Sequence, residues 1–301
     1  MSRRILALLL LLALLAAGIA LGVYQRFRNT PLHLSADEII YEIAPGTSLR
    51  QLAYDLHARD MIGHPRLLIL LGRELDVATR LQAGEYRLAA GMTPQTLLQL
   101  LVDGKVIQHA ITLVEGQTFR EFLQRIQAHP FIEVTLQGVD DAEIMDRLGH
   151  PGLHPEGRFL PDTYNFTRGT TDLAFLGRAF SAMSAYLEAA WPDRDADLPL
   201  QTPEEALILA SIVEKETGLA EERPVIAGVF VRRLQRGMRL QTDPTVIYGL
   251  GEQFDGNLRR RDLENDTPYN TYTRNGLPPT PIAMPGAEAI AAVLHPAAVP
   301  T

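Results

Sequence analysis

The chain has 301 residues, enough for about two domains once any membrane anchor is set aside. Its net charge of −8 argues against a nucleic-acid-binding protein, because such proteins usually present a basic face. The absence of cysteine excludes disulfides, thiolate metal sites and thiol catalysis. The histidines are scattered without ligand-like spacing, so neither a metal nor a cofactor is predicted.

The N-terminus carries an uncharged apolar run from Ile5 to Tyr24. As a helix this run would span the roughly 30 Å of a bilayer's hydrocarbon core. A cleaved signal peptide is the alternative, but its apolar region is usually only about 7–15 residues long. Two arginines flank the run on each side, so the charge balance hardly decides its orientation. We therefore predict an uncleaved single-pass anchor with its flank in residues 1–28, and a linker over residues 26–36.

Three later segments share one pattern around a glycine, with apolar residues five and three positions before it and six and ten after it. The apolar positions are Tyr41, Ile43, Leu52 and Leu56, then Tyr86, Leu88, Leu97 and Leu101, then Ile111, Leu113, Phe122 and Ile126. The glycines are Gly46, Gly91 and Gly116, and the hydroxyl residues two positions later are Ser48, Thr93 and Thr118. Alternation predicts a strand, glycine permits a turn, and a hydroxyl residue favours a helix N-cap. Each segment is therefore predicted to be an α+β unit of strand, glycine turn and capped helix.

A helix is also predicted between Thr202 and Gly218, because Thr202 is a candidate N-cap and Glu205 completes a capping box. On a helical projection Glu216 falls near the centre of an apolar stripe, whereas Glu214 falls on the other side. A carboxyl group on an apolar face near a helix C-terminus is hard to ionise, as a general acid at neutral pH requires. Glu216 is thus the candidate acid, and the alternative is a structural glutamate in the last turn, either frayed toward water or paired with an arginine.

The segments 238–249, 267–272 and 276–282 are dense in tyrosine, asparagine, threonine and proline. Stiff loops that present amides, hydroxyls and aromatic faces suit sugar binding, but they would equally suit any exposed surface. On composition alone the two interpretations stay open.

Long strings in this half of the chain carry a resemblance to a known family. They are ASIVEKET, RLQRGMRLQTDPTVIYGLG, DTPYNTYTRNGLPPTPIAMPG and HPA in that order, with EGRFLPDTY upstream. In these strings the chain resembles the YceG-like family of endolytic murein transglycosylases, and the resemblance covers essentially the whole chain. Residues 41–62 also loosely resemble a LysM module, which grips the N-acetylated sugars of peptidoglycan or chitin, although a structural spacer remains the alternative.

The resemblance implies an α+β protein with an N-terminal transmembrane helix, a small LysM-like domain over residues 37–105 and a larger mixed α/β catalytic domain over residues 106–301. Family members usually continue past the HPA string, so the C-terminus is expected to be shortened. The chain is expected in the bacterial inner membrane, with the catalytic domain in the periplasm. Glycan strands are the implied partner, a peptidoglycan synthase is a possible second partner, and nucleic acid is not expected.

The resemblance also implies a reaction. Glu216, the second glutamate of the EKE string, corresponds to the family's catalytic residue, and the bond between N-acetylmuramic acid and N-acetylglucosamine is cleaved to give a 1,6-anhydro end. The residues expected to bind substrate are Gln241, Thr242, Asp243, Tyr269, Asn270 and Tyr272. Two alternatives remain: a non-catalytic glycan-binding scaffold, and a muramidase-type hydrolase that pairs Glu216 with Asp243 or Asp162.

Overall fold

A computed structural model describes residues 3–298 of the chain, which divides into two compact units at residues 109 and 110. The predicted mixed α+β class is confirmed. The last residues of the expected shortened C-terminus, 299–301, lie outside the described part.

The first unit holds one long helix and a small α+β body. Its elements are α1 (Arg3–Asn29), β1 (Glu38–Ile43), α2 (Leu49–Ala58), α3 (Pro65–Glu74), β2 (Gly84–Ala89) and α4 (Pro94–Asp103). Strands β1 and β2 pair in antiparallel register, with Tyr41 opposite Tyr86. Helices α2, α3 and α4 supply the rest of the core.

Helix α1 is long and apolar enough to cross a membrane, and the side chains of its apolar stretch are exposed. Its last turn enters the core of the unit through Phe27. Beyond the helix, the Leu32 amide donates to the Met92 carbonyl at 2.7 Å and the His33 amide donates to the Met61 carbonyl at 3.0 Å. The segment interpreted from the sequence as a linker is therefore held against the folded body.

The second unit has eight α-helices of very different lengths and four short strands among its described residues. Its elements are β3 (His109–Thr112), which spans the division, α5 (Phe119–Gln127), β4 (Ile132–Glu133), α6 (Asp141–Arg147), β5 (Thr163–Phe166), β6 (Thr170–Thr171), α7 (Asp172–Ala190), α8 (Pro203–Glu216), α9 (Arg223–Gln235), α10 (Asp243–Leu250), α11 (Arg260–Glu264) and α12 (Ala287–Leu294). Strand β3 pairs with β5, and β4 pairs with β6 in parallel. One core cluster surrounds α5, α6 and α7, and a second surrounds α8, α9 and α12.

The three predicted strand, turn and helix units are confirmed. Gly46, Gly91 and Gly116 all have positive φ, the backbone region that glycine enters without steric cost. The hydroxyl residue that follows each glycine caps α2, α4 or α5 in a complete capping box. All twelve apolar positions of the pattern are buried. Local capping, turn chemistry and apolar spacing therefore agree in each unit.

Helix α8 also begins where predicted, because the Thr202 hydroxyl accepts from the Glu205 amide at 3.2 Å. The Glu205 side chain reaches one residue further back than a capping box requires and accepts from the Gln201 amide at 2.5 Å. The helix ends at Glu216, two residues before Gly218.

Candidate active site

Helix α8 is buried on all sides rather than along one stripe. Every residue from Ala206 to Val213 is buried, because α9, α10 and α12 all pack against the helix. Only the last turn emerges, and Glu216 is exposed there. The apolar setting predicted for Glu216 is therefore wrong, since a helical projection cannot show that neighbouring helices cover both faces and leave the end free.

Glu214 has the buried environment instead, with only 5% of its side chain exposed. Its Oε1 lies 3.3 Å from Nη2 of Arg223, and its Oε2 accepts from the Gly286 amide at 2.9 Å. Arg223 also pairs with the exposed carboxylate of Glu288. The structural, arginine-paired glutamate that the sequence left as an alternative for Glu216 is thus found at Glu214.

The exposed carboxyl group of Glu216 is held on one side only. The hydroxyl of Thr242 donates to its Oε1, and Thr242 itself is buried at the start of α10. No other hydrogen bond to Glu216 is present among residues 3–298. The second oxygen, Oε2, is therefore available to a ligand.

Thr271 positions the segment that carries this hydroxyl. Its backbone carbonyl accepts from the Gln241 amide at 3.2 Å, and its Oγ1 accepts from the Thr242 amide at 3.1 Å. Gln241 has a φ of +54°, a left-handed conformation that is uncommon outside glycine and needs such support. Arg233 adds to it by donating to the Gln241 side chain at 3.2 Å. The bend before α10 thus directs Thr242 toward Glu216.

Tyr272 and Asp243 form a second polar pair beside Glu216. The Tyr272 hydroxyl donates to Oδ1 of Asp243 at 2.5 Å. Partial burial, followed by the hydrogen bond and negative charge of Asp243 and then the charge of Glu216, raises the pKa of Tyr272 to about 12. The Tyr272 hydroxyl therefore stays protonated and remains a donor at neutral pH. Of the predicted site residues, the structure brings Gln241, Thr242, Asp243 and Tyr272 together around Glu216.

Asn270 and Tyr269 come from the same loop but act within the fold. Asn270 is fully buried, and its Nδ2 donates to the carbonyls of Asp262, Leu263 and Asn265 at 3.3, 3.0 and 2.7 Å. Its Oδ1 accepts from the Tyr272 amide at 2.9 Å, so it positions Tyr272. Tyr269 is bound to the Thr280 hydroxyl at 2.8 Å and packs edge-on against Tyr248.

Asp162, the other carboxylate considered for a hydrolase, has local partners. Its Oδ1 accepts from the Thr163 amide at 2.6 Å, and its carbonyl accepts from the Leu113 amide at 2.9 Å. These contacts join β3 to β5, and none of the contacts described for Asp162 involves Glu216 or Thr242. Asp243 is therefore the aspartate that the structure brings into the group around Glu216.

Sequence reasoning missed the environment of Glu156, a buried carboxyl group near the C-terminal end of α10. Its Oε1 accepts from the Phe119 amide at 2.9 Å, and its Oε2 accepts from the Tyr248 hydroxyl at 3.0 Å. Burial, only partly offset by these two donors, raises the pKa of Glu156 to about 7. The residue also lines a cavity of about 580 Å³ with Asp141 and His154. Its place before Gly157 in the EGRFLPDTY string was the available signal.

The geometry around Glu216 would suit a general acid or base, because one carboxyl oxygen is oriented by a hydroxyl donor and the other has no hydrogen-bond partner among residues 3–298. Among residues 3–298, no group of three or more His, Asp or Glu side chains could hold a metal ion.

Comparison with known proteins identifies the family. The sequence model of the YceG-like family matches residues 41–300, so the chain belongs to the YceG-like family. It is 32% identical over 237 residues to the endolytic murein transglycosylase of Bacillus subtilis, covering 73% of this chain and 65% of that protein. The endolytic murein transglycosylase of Streptococcus pneumoniae is 28% identical over 324 residues, covering 95% of this chain. The chain thus spans about two thirds of the first relative's length and 58% of the second's.

A solved structure supports the same relationship. A yceG-like protein from Listeria monocytogenes superposes with a TM-score of 0.53 and 28% sequence identity, covering 87% of this chain and 91% of that chain. The family likeness therefore extends over both units rather than over the region of Glu216 alone.

Proposed function

We propose that this chain is an endolytic lytic transglycosylase of peptidoglycan, and that Glu216 is its acid–base residue. The observation that carries the proposal is the exposed carboxyl group at the end of a buried helix, with Oε1 bound to Thr242 and Oε2 open. Two relatives named endolytic murein transglycosylase support the reaction class.

In the proposed reaction one carboxyl group serves both steps. Protonated Glu216 donates its proton to the glycosidic oxygen as the bond from that oxygen to C1 of N-acetylmuramic acid breaks. The resulting carboxylate then accepts the proton of the muramyl C6 hydroxyl as that oxygen attacks C1. Water is not consumed, a 1,6-anhydro end forms, and Glu216 is protonated again.

The surrounding residues would orient the carboxyl group and the sugar. The Thr242 hydroxyl holds Oε1, which leaves Oε2 to face the glycosidic oxygen. Gln241 and Asp243 are exposed beside it, and the Tyr272 hydroxyl, which donates its hydrogen bond to Asp243, offers its oxygen as an acceptor. We propose these three as substrate contacts, with Asn270 and Tyr269 as positioning residues for the loop.

A muramidase-type hydrolase is the second candidate, and the position of Asp243 favours it over a scaffold. A hydrolase would need a second carboxylate as nucleophile or water base, and Asp243 is the aspartate grouped with Glu216. Its Oδ1, however, already accepts from Tyr272. This engagement favours the single-carboxylate reaction.

The apolar α1 supports a location at the membrane, since by length and composition it can serve as a single-pass anchor. We propose that it lies in the bacterial inner membrane and that the rest of the chain is periplasmic, where peptidoglycan is found. Residues 41–62 would act as a LysM-like glycan contact. Cleavage of nascent strands beside a synthase would end their elongation and so contribute to cell wall formation and cell shape.

Product analysis tests the proposal. The full chain in detergent is incubated with purified sacculi, alongside Glu216→Gln and the control Glu221→Gln, which changes an exposed glutamate five residues further on. We expect internal fragments with 1,6-anhydromuramic acid ends from the wild type and the control, and none from Glu216→Gln. Reducing ends would identify a hydrolase, and an absence of products from the folded wild type would support the scaffold.

A further inference from the structure

Two neighbouring cavities open beside the end of the apolar stretch of α1. One has a volume of about 240 Å³ and the other about 480 Å³, and both are lined by Val23 and His64. Arg26 and His33 line the first, and Arg66 lines the second. Both cavities lie entirely within the first unit.

The formally charged side chains that line these cavities are Arg26 and Arg66, and both are positive. No aspartate or glutamate is among the described residues that line either cavity, whereas two arginines and three histidines are. Neither Arg26 nor Arg66 has an ion-pair partner within residues 3–298, and two imidazoles, those of His57 and His64, line the second cavity. The remaining walls are largely apolar, formed in part by Phe27, Met61 and Ile62.

Two of the acidic residues nearby are held in ion pairs. Glu74 lies 3.1 Å from Arg28 and also accepts from the Tyr24 hydroxyl. In α2, Asp55 lies 2.9 Å from Arg59. These two carboxylates are therefore already engaged and do not compete for Arg26 or Arg66.

The position of the cavities relative to the membrane follows from the proposed anchor. The apolar run ends at Tyr24, so a helix that spans about 30 Å of hydrocarbon places Val23 at the boundary with the lipid headgroups. The end of α1 is also fixed to the folded body, because Arg28 Nε donates to Gln95 at 2.6 Å and Phe27 is buried. The cavities are therefore held at headgroup level.

We propose that the two cavities form a binding site for one anionic phospholipid of the leaflet that faces the folded body. The phosphate headgroup would pair with Arg66, His64 and Arg26, and the first part of an acyl chain would lie against the apolar walls. A free phosphate ion would leave those walls uncovered, so a lipid fits better. The inference rests on the proposed membrane anchor and goes beyond it, because a bound headgroup would fix the rotation of the small unit about the axis of α1.

Lipid retention by the full chain tests this site. The chain is reconstituted in phosphatidylcholine vesicles that contain phosphatidylglycerol as the minor lipid, then extracted gently and analysed by native mass spectrometry. The test variant is His64→Gln/Arg66→Gln, and the matched control is Arg73→Gln, which removes another exposed arginine of α3 that lines neither cavity. Cleavage of sacculi and thermal unfolding verify that each variant is folded.

We expect the wild type and Arg73→Gln to retain phosphatidylglycerol selectively. The double variant should retain about fivefold less phosphatidylglycerol than the wild type, which is the factor expected for the loss of one arginine near an anionic surface. Equal retention by both variants, or no preference over phosphatidylcholine, would overturn the proposal. Selective retention of added polyprenyl phosphate instead would overturn the assignment to a phospholipid. A chain that does not float with vesicles would overturn the anchor as well, whereas one that floats without selective retention would overturn this inference alone.

Discussion

The buried stretch of α8 and its exposed last turn place two glutamates in opposite environments only two residues apart. Glu214 is enclosed and has a buried cation and a backbone amide as partners. Glu216 is exposed and has one hydroxyl partner. The difference shows that the end of a packed helix can place an enclosed carboxylate and an exposed one within about half a turn of each other.

The largest effect is expected from Glu216→Gln. An amide cannot transfer the proton, so the rate of glycan cleavage should fall by about 10²–10⁴ or more. Because the Glu216 side chain is exposed, the free energy of unfolding of the variant should differ from that of the wild type by less than about 0.5 kcal/mol. Initial rates on sacculi and urea unfolding measure the two quantities, and an active Glu216→Gln enzyme would contradict the assignment.

Glu214→Gln should lower the free energy of unfolding, whereas Glu216→Gln should leave it nearly unchanged. Removing one partner of a buried ion pair typically costs about 3–5 kcal/mol, and Arg223 keeps its contact to Glu288, so we expect about 3 kcal/mol in urea unfolding. Glu288→Gln is the control, because its carboxylate is 70% exposed and should cost at most about 1 kcal/mol. Equal free energies of unfolding for the two variants would contradict a structural role for Glu214.

Glu156 sharpens the comparison, because it is buried like Glu214 but its hydrogen-bond donors are neutral. Its pKa is raised from 4.5 to about 7 in the folded chain, so the folded state binds the extra proton between these values. The stability it contributes is therefore full below about pH 4.5 and is lost as the pH rises through about 7.

Glu156→Gln removes this pH dependence, because an amide does not titrate. The variant can keep both contacts, since the amide can accept from the Phe119 amide and donate to the Tyr248 hydroxyl oxygen. Between pH 4.5 and 8 the wild type should lose up to about 3 kcal/mol relative to the variant, from a shift of roughly two and a half pKa units at 1.36 kcal/mol each. Urea unfolding at several pH values measures this difference. A constant difference across the range would show that Glu156 is ionised throughout.

The smallest effect is expected from Thr242→Val, which removes the hydroxyl that holds Glu216. The Thr242 side chain makes no capping bond to α10, so stability should change little. A hydrogen bond to a charged group contributes about 1.5–3 kcal/mol, so kcat should fall roughly tenfold to hundredfold while KM changes less. Thr242→Ser keeps the hydroxyl and should recover most of the rate; failure to do so would indicate a packing effect.

The fold was predictable from sequence where interactions are local. The three glycine units were predicted to their caps, because turn, cap and apolar spacing all act within one segment. The N-terminus of α8 was predicted for the same reason. The surroundings of Glu216 were not, because α9, α10 and α12 reach α8 from distant parts of the chain and the helical projection contains none of them.

The candidate site divides in the same way. The family resemblance named the strings that contain Gln241, Thr242, Asp243 and Tyr272, and the structure brings these residues together around Glu216. The resemblance could not distinguish these residues from Asn270, whose side-chain amide is buried and donates to three backbone carbonyls. Nor did it show Glu156 as a buried acid, because its burial depends on Phe119 and Tyr248 from other segments.

The short reach of the glycine units has a consequence for the order of folding. Each unit closes its turn and caps its helix within roughly 20 residues, so its contacts have low sequence separation and can form early. The group around Glu216 depends on Thr271 and Tyr272, which follow Glu216 by more than fifty residues. In the proposed topology the first unit would reach the periplasm before the second, so it could fold well before the group around Glu216 is complete. The proposed cleavage activity would then begin only when nearly the whole chain has emerged, which would protect glycan strands from partly exported enzyme.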